Sequence, residues 1–317
     1  MAFSATDAAL EGFRIGRHKP TVMLIWAAAS LLISLVTSVA MVTLFGGTLN
    51  EMMAMSAQSE NDPTQALAMA GQMAQLYLVI GPIALLVFAI FTAAVYRAVL
   101  EPANSAFAYL RLGATELRIA VVLLALTVLS FVAGFVLVLA FGIIVGVVGA
   151  AAFGSGNGVA AAIGFIVGAV VWIALMIGLM GFWVKFSLSA PMTFAEKRIR
   201  IFESWNATKG HFWPLFGSYL LSFVLGLLVS LLGSGISFAA MAALGGVGNA
   251  SDIASLFSSL EADYTSLASF MTPAMIVNMA VSAVFSALTY AIFLAPPAVA
   301  YRDLVARTGP GLAETFR

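Results

Sequence analysis

The sequence predicts an all-α, polytopic membrane bundle: six transmembrane helices joined by short interfacial amphipathic helices. Three observations carry this. The chain of 317 residues is 62% hydrophobic and only 9% charged, with a mean hydropathy of +1.06. Soluble domains hold about 45–50% apolar and about 25% charged residues, so lipid must solvate most of this surface. All 14 Lys and Arg residues fall into four islands, Arg14–Lys19, Arg97–Arg118, Lys185–Lys209 and Arg302–Arg317. The stretches between islands are continuously apolar, without the period-2 alternation of a β-barrel wall.

A charge at the bilayer centre costs about 3 kcal/mol or more, so charges retreat to the ends of spans. Basic residues in short loops stay on the cytoplasmic side. The chain therefore leaves and returns between successive islands, which makes six spans with both termini cytoplasmic. The opposite side carries Glu51, Glu60, Asp62, Asp252, Glu261 and Asp263 and no basic residue.

Residues 1–20 read as a cytoplasmic interfacial helix. They include Asp7 and Glu11, unlike the basic n-region and short apolar core of a cleavable signal peptide. Residues 21–300 form the membrane domain, with spans at 21–46, 76–99, 117–149, 159–185, 213–244 and 273–299, each meeting the ~20 apolar residues a crossing needs. The third and fifth are longer than one crossing and are expected to tilt or project. Gly154-Ser-Gly-Asn-Gly158 splits the third span from the fourth with a tight outer turn. Residues 301–317 form a cytoplasmic tail.

The islands read as short amphipathic helices that stop at Gly16, Gly113 and Gly210, glycine suiting the left-handed residue that ends a helix. Pro20 and Pro214 then suit the first turn of the next span. The even spans end near Pro102, Pro191 and Pro296-Pro297. The pattern fits three degenerate copies of a two-span unit. It also fits the general liking of helix ends for glycine and proline. Two outer segments are long. Residues 50–75 are rich in methionine (Met52, Met53, Met55, Met69, Met73). Residues 250–272 place Ile253, Leu256, Phe257, Leu260, Tyr264, Leu267 and Phe270 on one helical stripe.

No ionisable residue sits in the middle of a span, which argues against proton relays and ion-coupled pumps. Asn278, Ser282 and Ser286 are the polar candidates in the sixth span, either as interhelical hydrogen bonds or as a polar translocation lining. Gly142-Ile-Ile-Val-Gly146 and Gly164-Phe-Ile-Val-Gly168 allow close helix approach, either of the third span on the fourth or in a homo-oligomer. On the basic side, Arg97, Arg111, Arg118, Arg200, Trp205, Lys209 and His211 are candidates for lipid headgroups or a partner. The alternative is a generally positive surface that sets topology and holds anionic lipid loosely.

The chain has no cysteine, so it has no thiol nucleophile or thiolate metal site. Methionines without a nearby Cys or His read as adaptable packing, so no metal site is expected. There is no Gly-rich phosphate loop, no HExxH and no Gly-x-Ser-x-Gly elbow. The expectation is therefore no enzyme and no cofactor. The expected partners are membrane lipids and a homo-oligomer or membrane-protein partner, with no nucleic acid.

The third island carries a resemblance. Ser189-Ala-Pro191, Glu196-Lys197, Phe202-Glu-Ser204-Trp205 and Thr208-Lys-Gly-His-Phe-Trp213 resemble a segment of bacterial six-span membrane proteins. These are the YciC-like proteins and the membrane domain attached to some glycerophosphodiester phosphodiesterases. Tyr96-Arg97 through Pro102 to Tyr109-Leu-Arg-Leu-Gly113 and Glu116-Leu-Arg118 are similar to stretches of hypothetical membrane proteins of alphaproteobacteria. The resemblance covers about fifty residues closely and the rest of the six-span plan loosely. It implies architecture and a bacterial inner-membrane setting. It implies no hydrolase, because the chain has neither room for a soluble barrel nor a metal-binding carboxylate–histidine set. The expected role is a non-enzymatic integral protein that interacts with lipid or organises partners through its cytoplasmic interfacial helices. The alternative is a transporter or channel for an uncharged or lipid-like solute, and an intramembrane enzyme would need a polar cluster formed only in three dimensions.

Overall fold

Apolar runs with few breakers fold into helices along almost their whole length. The structure, a computed structural model, describes residues 3–58, 63–154, 158–245 and 264–306. The order is α1 (Ala5–His18), α2 (Pro20–Gln58), α3 (Pro63–Leu100), a one-turn segment Ala106–Tyr109, α4 (Ala114–Gly154), α5 (Gly158–Phe186), α6 (Ser189–Glu196), α7 (Glu203–Ala207), α8 (Phe212–Gly245), α9 (Leu267–Phe270) and α10 (Pro273–Tyr301), with a π-turn at Arg302–Ala306. No strand occurs among the described residues. Among the described residues six helices are long and apolar enough to cross a membrane. The chain is a multi-pass integral membrane protein.

The helices overrun the expected spans. Most of 50–75, expected as a loop, is helix, because α2 continues to Gln58 and α3 starts at Pro63. Alanine, methionine and glutamine dominate there, all good helix formers. The stripe from Ile253 to Leu260 lies outside the described residues. Beyond it, Ser266 caps α9: its hydroxyl accepts from Ser269 N–H, and the Ser269 side chain returns the bond.

The chain divides into two compact units. One holds Ser4–Leu112 and Gly217–Val299, and the other holds Gly113–Phe216 and the residues from Ala300. In the first, α1 buries Ala8, Ala9, Gly12 and Ile15. Gly12 lies against the backbone of α10, where an added Cβ would stand 2.6 Å from Ile292 Cα. Gly16, expected to stop this helix, sits inside it. The stop comes at Lys19, whose N–H reaches the Ile15 carbonyl. On α8, Gly226 and Gly233 leave slots filled by the rings of Phe293 and Phe285 of α10, and this sets the spacing of the two helices.

The second island departs from expectation. It forms no amphipathic helix. Phe107, Ala108 and Tyr109 all take left-handed backbone angles, with φ of 55°, 52° and 68°. For non-glycine residues this costs roughly 1–2 kcal/mol each, so contacts from elsewhere must impose it.

In the second unit, α4 and α5 form a hairpin. Its packed end gathers Val122, Leu126 and Phe186 with Leu129, Phe182 and Ile201. None of the most apolar stretch of either helix is buried within the chain. A Cβ added at Gly168 of α5 would stand 3.5 Å from Val145 of α4, whereas one at Gly142 or Gly146 would meet nothing. The first glycine pair is therefore not part of the hairpin contact.

Candidate functional site: hydroxyl-lined cavities and a basic interface

Three helices of the first unit each carry hydroxyls at helical spacing on one face. On α2 these are Ser30, Ser34, Thr37 and Ser38; on α10, Asn278, Ser282, Ser286, Thr289 and Tyr290; on α8, Ser230, Ser234 and Ser237. Residues three, four, seven and eight apart share one side of a helix. Two cavities result. The first, about 370 Å³, lies among α2, α3 and α10 and is lined also by Ile33, Met41, Val87, Phe91, Met279 and Ala283. The second, about 390 Å³, lies between α8 and α10 and includes Asn278, Thr289 and Phe285. Ser282, Ser286 and Tyr290 line both. Among the described residues no Asp, Glu, Lys, Arg or His lines either.

Depth agrees across helices. At 1.5 Å per residue, Ser30 and Ser38 stand ~15 and ~27 Å along α2 from Pro20. Tyr290 and Ser282 stand ~17 and ~28 Å back along α10 from Tyr301. The two stripes line one cavity and so lie at one level, each within the run of an apolar span.

Aromatic rings close the first cavity at both ends. The Phe91 ring stacks on Tyr290 at 4.7 Å and meets Trp26 edge-on at 6.4 Å. At the far end Tyr264 and Phe270 pair at 5.5 Å, and the Tyr264 carbonyl rests against Gly46 of α2. The Ser30 oxygen is buried on this cavity without a protein hydrogen-bond partner.

Beneath the floor lies the left-handed turn, held from three sides. Trp26 Nε1 donates to the Ala108 carbonyl at 2.8 Å. Arg97 donates to the Tyr109 carbonyl at 2.9 Å. Lys19 Nζ donates to the Tyr109 hydroxyl at 2.6 Å and sits over its ring, and that hydroxyl donates to the Pro102 carbonyl. Tyr109 is fully buried while Phe107 is 83% exposed. Arg97, predicted to face headgroups, is buried and aimed at the turn. A long side chain near a helix end can reach inward as well as outward, and here a backbone carbonyl draws it in. Arg111, half-buried, donates to Asn104 Oδ1 at 2.6 Å.

In the second unit, residues 187–211 are stapled by buried hydroxyls. Ser204 Oγ accepts from Leu188 N–H and donates to the Lys185 carbonyl. Ser189 Oγ donates to the Ile201 carbonyl, and Thr193 Oγ1 accepts from Arg200 N–H. Gly210 takes φ +79°, the left-handed stop its position predicts. Arg200 lies between Glu196 at 2.9 Å and Glu203 at 3.0 Å. Its pKa is raised, first by the hydrogen bond to Glu203 and then by the Glu196 charge. The Glu203 carboxyl is held below the ordinary glutamate value by hydrogen bonds from its own backbone N–H and from Arg200.

The outer surface of this segment alternates basic and apolar groups. Lys197, Arg198, Lys209 and His211 are exposed, as are Ile199, Phe202, Trp205 and Trp213. Trp205 packs on Phe186 at 5.8 Å, with Lys185 Nζ 5.6 Å above its ring. Arg118, on the second turn of α4, is half-buried. His211 Nδ1 lies 3.1 Å from the Lys209 carbonyl.

Sequence reading named Asn278, Ser282 and Ser286 but passed over the hydroxyls of α2 and α8. Their signal was present: Ser30, Ser34, Thr37 and Ser38 repeat at one-face spacing within a run that otherwise reads only as apolar. Among the described residues no group of three His, Cys, Asp or Glu side chains could hold a metal ion. No protein-family model, no curated protein and no solved structure matches this chain.

Proposed function

We propose that this membrane protein acts without covalent chemistry of its own and engages anionic lipid headgroups through residues 197–213, on the cytoplasmic side of a bacterial inner membrane. The observation that carries this reading is the exposure of Lys197, Arg198 and Lys209 beside Ile199, Phe202, Trp205 and Trp213 in one short segment. Aromatic rings suit the headgroup layer, and each basic residue near an anionic surface contributes about 1 kcal/mol. Arg200 is a weaker contributor than its position suggested, since two carboxylates already neutralise it. Arg97 belongs to the interior.

Native mass spectrometry in detergent tests this. The wild type should retain phosphatidylglycerol in preference to phosphatidylcholine, and the triple variant Lys197→Gln, Arg198→Gln, Lys209→Gln should lose the preference. Equal retention by both proteins would overturn it. Sidedness is separately testable because the chain lacks cysteine. A lone Lys209→Cys should react with an impermeant maleimide only after spheroplasts are lysed. Reaction in intact spheroplasts would place the segment outside.

A second reading, carriage of an uncharged or lipid-like solute, is favoured by the two hydroxyl-lined cavities. Flux of such a solute into liposomes containing the protein would support it.

A further inference from the structure

The cavities ask what a molecule held in them must look like. In a hydrocarbon surrounding, a hydroxyl without a partner costs free energy, which is why polar side chains within membranes find one another or a ligand. The Ser30 oxygen has no protein partner and is buried on the first cavity. Ser230, Ser234 and Ser282 are exposed on the second. Hydroxyls gather here on three separate helices, and the stripes of α2 and α10 face one another across one cavity. Local helix chemistry cannot account for that agreement.

The lining states the ligand's chemistry. Among the described residues no charged side chain lines either cavity, so these residues offer an ion no counter-charge within apolar spans, where charges are costly. Hydroxyls and the Asn278 amide both donate and accept, so they suit a head bearing hydroxyl or ester oxygens. Ile33, Val87 and Phe91 supply apolar wall, which suits an alkyl chain. The size, about 370 and 390 Å³ with Ser282, Ser286 and Tyr290 common to both, falls within the range of small-molecule sites, about 300–1,000 Å³. Phe91 and Tyr290 floor the first cavity towards the basic end, with Trp26 behind Phe91, while the second leaves serines exposed between α8 and α10. That arrangement favours entry from the bilayer.

We propose that the paired cavities of α2, α8 and α10 form a binding site for a neutral glycerolipid, of the mono- or diacylglycerol class, whose oxygen-bearing head lies against Ser30, Ser34, Ser282 and Ser286. The site is independent of the headgroup contacts of residues 197–213, and it requires binding only, whether or not the lipid is carried across.

The test is calorimetric titration of the full chain in detergent with monooctanoylglycerol. Octanoate and decane serve as probes of the same chain type with a charged head and with none. Saturable binding of one glyceride per chain is expected, with octanoate and decane at least tenfold weaker. Ser286→Leu should weaken glyceride binding tenfold or more by filling the shared wall. Ser34→Ala, which removes an oxygen without adding bulk, should weaken it several-fold while eluting and melting like the wild type, so it keeps the test decisive if Ser286→Leu fails to fold. The triple variant of Lys197, Arg198 and Lys209 should bind the glyceride unchanged, which separates this site from the headgroup surface. Non-saturable partitioning, equal binding of octanoate or decane, or wild-type affinity in a folded Ser34→Ala would each overturn the proposal.

Discussion

Trp26 hands its indole N–H to the carbonyl of Ala108, a residue in left-handed backbone, at 2.8 Å. The same indole meets the edge of Phe91. One side chain of the first span therefore both pins a strained turn and backs Phe91, a ring that lines the cavity. Trp26→Phe keeps the ring and deletes the donor, leaving a buried carbonyl without that bond. Such a loss costs about 1–3 kcal/mol, and thermal unfolding in detergent should show a lower midpoint. An unchanged midpoint would mean the turn is held adequately without Trp26.

Ala108→Gly probes the strain itself. Glycine accepts φ near 52° without the Cβ clash that burdens alanine, though it loses more entropy on folding. The expected net effect is neutral to stabilising by up to about 1 kcal/mol. A large destabilisation, read in the same melt, would show that the Ala108 methyl packs more than it strains.

Glycines on two helices should respond oppositely. Gly12→Ala would place a Cβ 2.6 Å from the Ile292 backbone, where neither element can yield cheaply, and should cost about 1–3 kcal/mol. Gly142→Ala and Gly146→Ala meet nothing within the chain. In a monomer each should stabilise α4 by about 0.5–1 kcal/mol through helix preference. If these two substitutions instead shift the protein to a smaller species on size exclusion, Gly142 and Gly146 lie in a contact between copies.

Ser204→Ala removes a hydroxyl that accepts from Leu188 N–H and donates to the Lys185 carbonyl. Both partners are then left short inside residues 187–211, and a loss of about 1–3 kcal/mol follows. Trp205 emission should redden as its packing on Phe186 loosens. A variant with wild-type emission and melting would show that the staple is dispensable.

The Arg200 pairs give a pH dependence of definite sign. Glu203 has its pKa lowered in the folded protein, so its contribution is present above the unfolded glutamate pKa. It is lost as pH falls through the lower, folded value. The segment should loosen only in acid, below the ordinary glutamate range. High salt should weaken the pairs, which are solvent-exposed and readily screened. Glu203→Gln should flatten the acid response of Trp205 fluorescence, and an acid transition that survives in this variant would have to come from another carboxylate.

The spans were legible because an uninterrupted apolar run has one stable solution in lipid, with every backbone group bonded within its own helix. Their ends were less so, since α2 and α3 continue past the apolar stretch in residues of high helix propensity. The left-handed turn at 107–109 was not legible at all. Nothing local demands it; it is imposed by Lys19, Trp26 and Arg97 from distant parts of the chain. The site divides in the same way. Asn278, Ser282 and Ser286 stood out because Asn278 is conspicuous in an apolar span, while the serines of α2 and α8 blended into theirs. Ser189, Ser204 and Thr208, which carry the resemblance to six-span bacterial proteins, turn out to bond the backbone of their own loop.

The α4–α5 hairpin has a further consequence. Helix α4 runs 41 residues, ~60 Å at 1.5 Å per residue, against a hydrocarbon core of ~30 Å. None of its most apolar stretch is buried. A helix pair so little buried along its length has its slope set by the lipid around it, through hydrophobic mismatch. The hairpin should stand more upright in thick bilayers and lean in thin ones, behaving as a gauge of membrane thickness attached to the basic interface it emerges from.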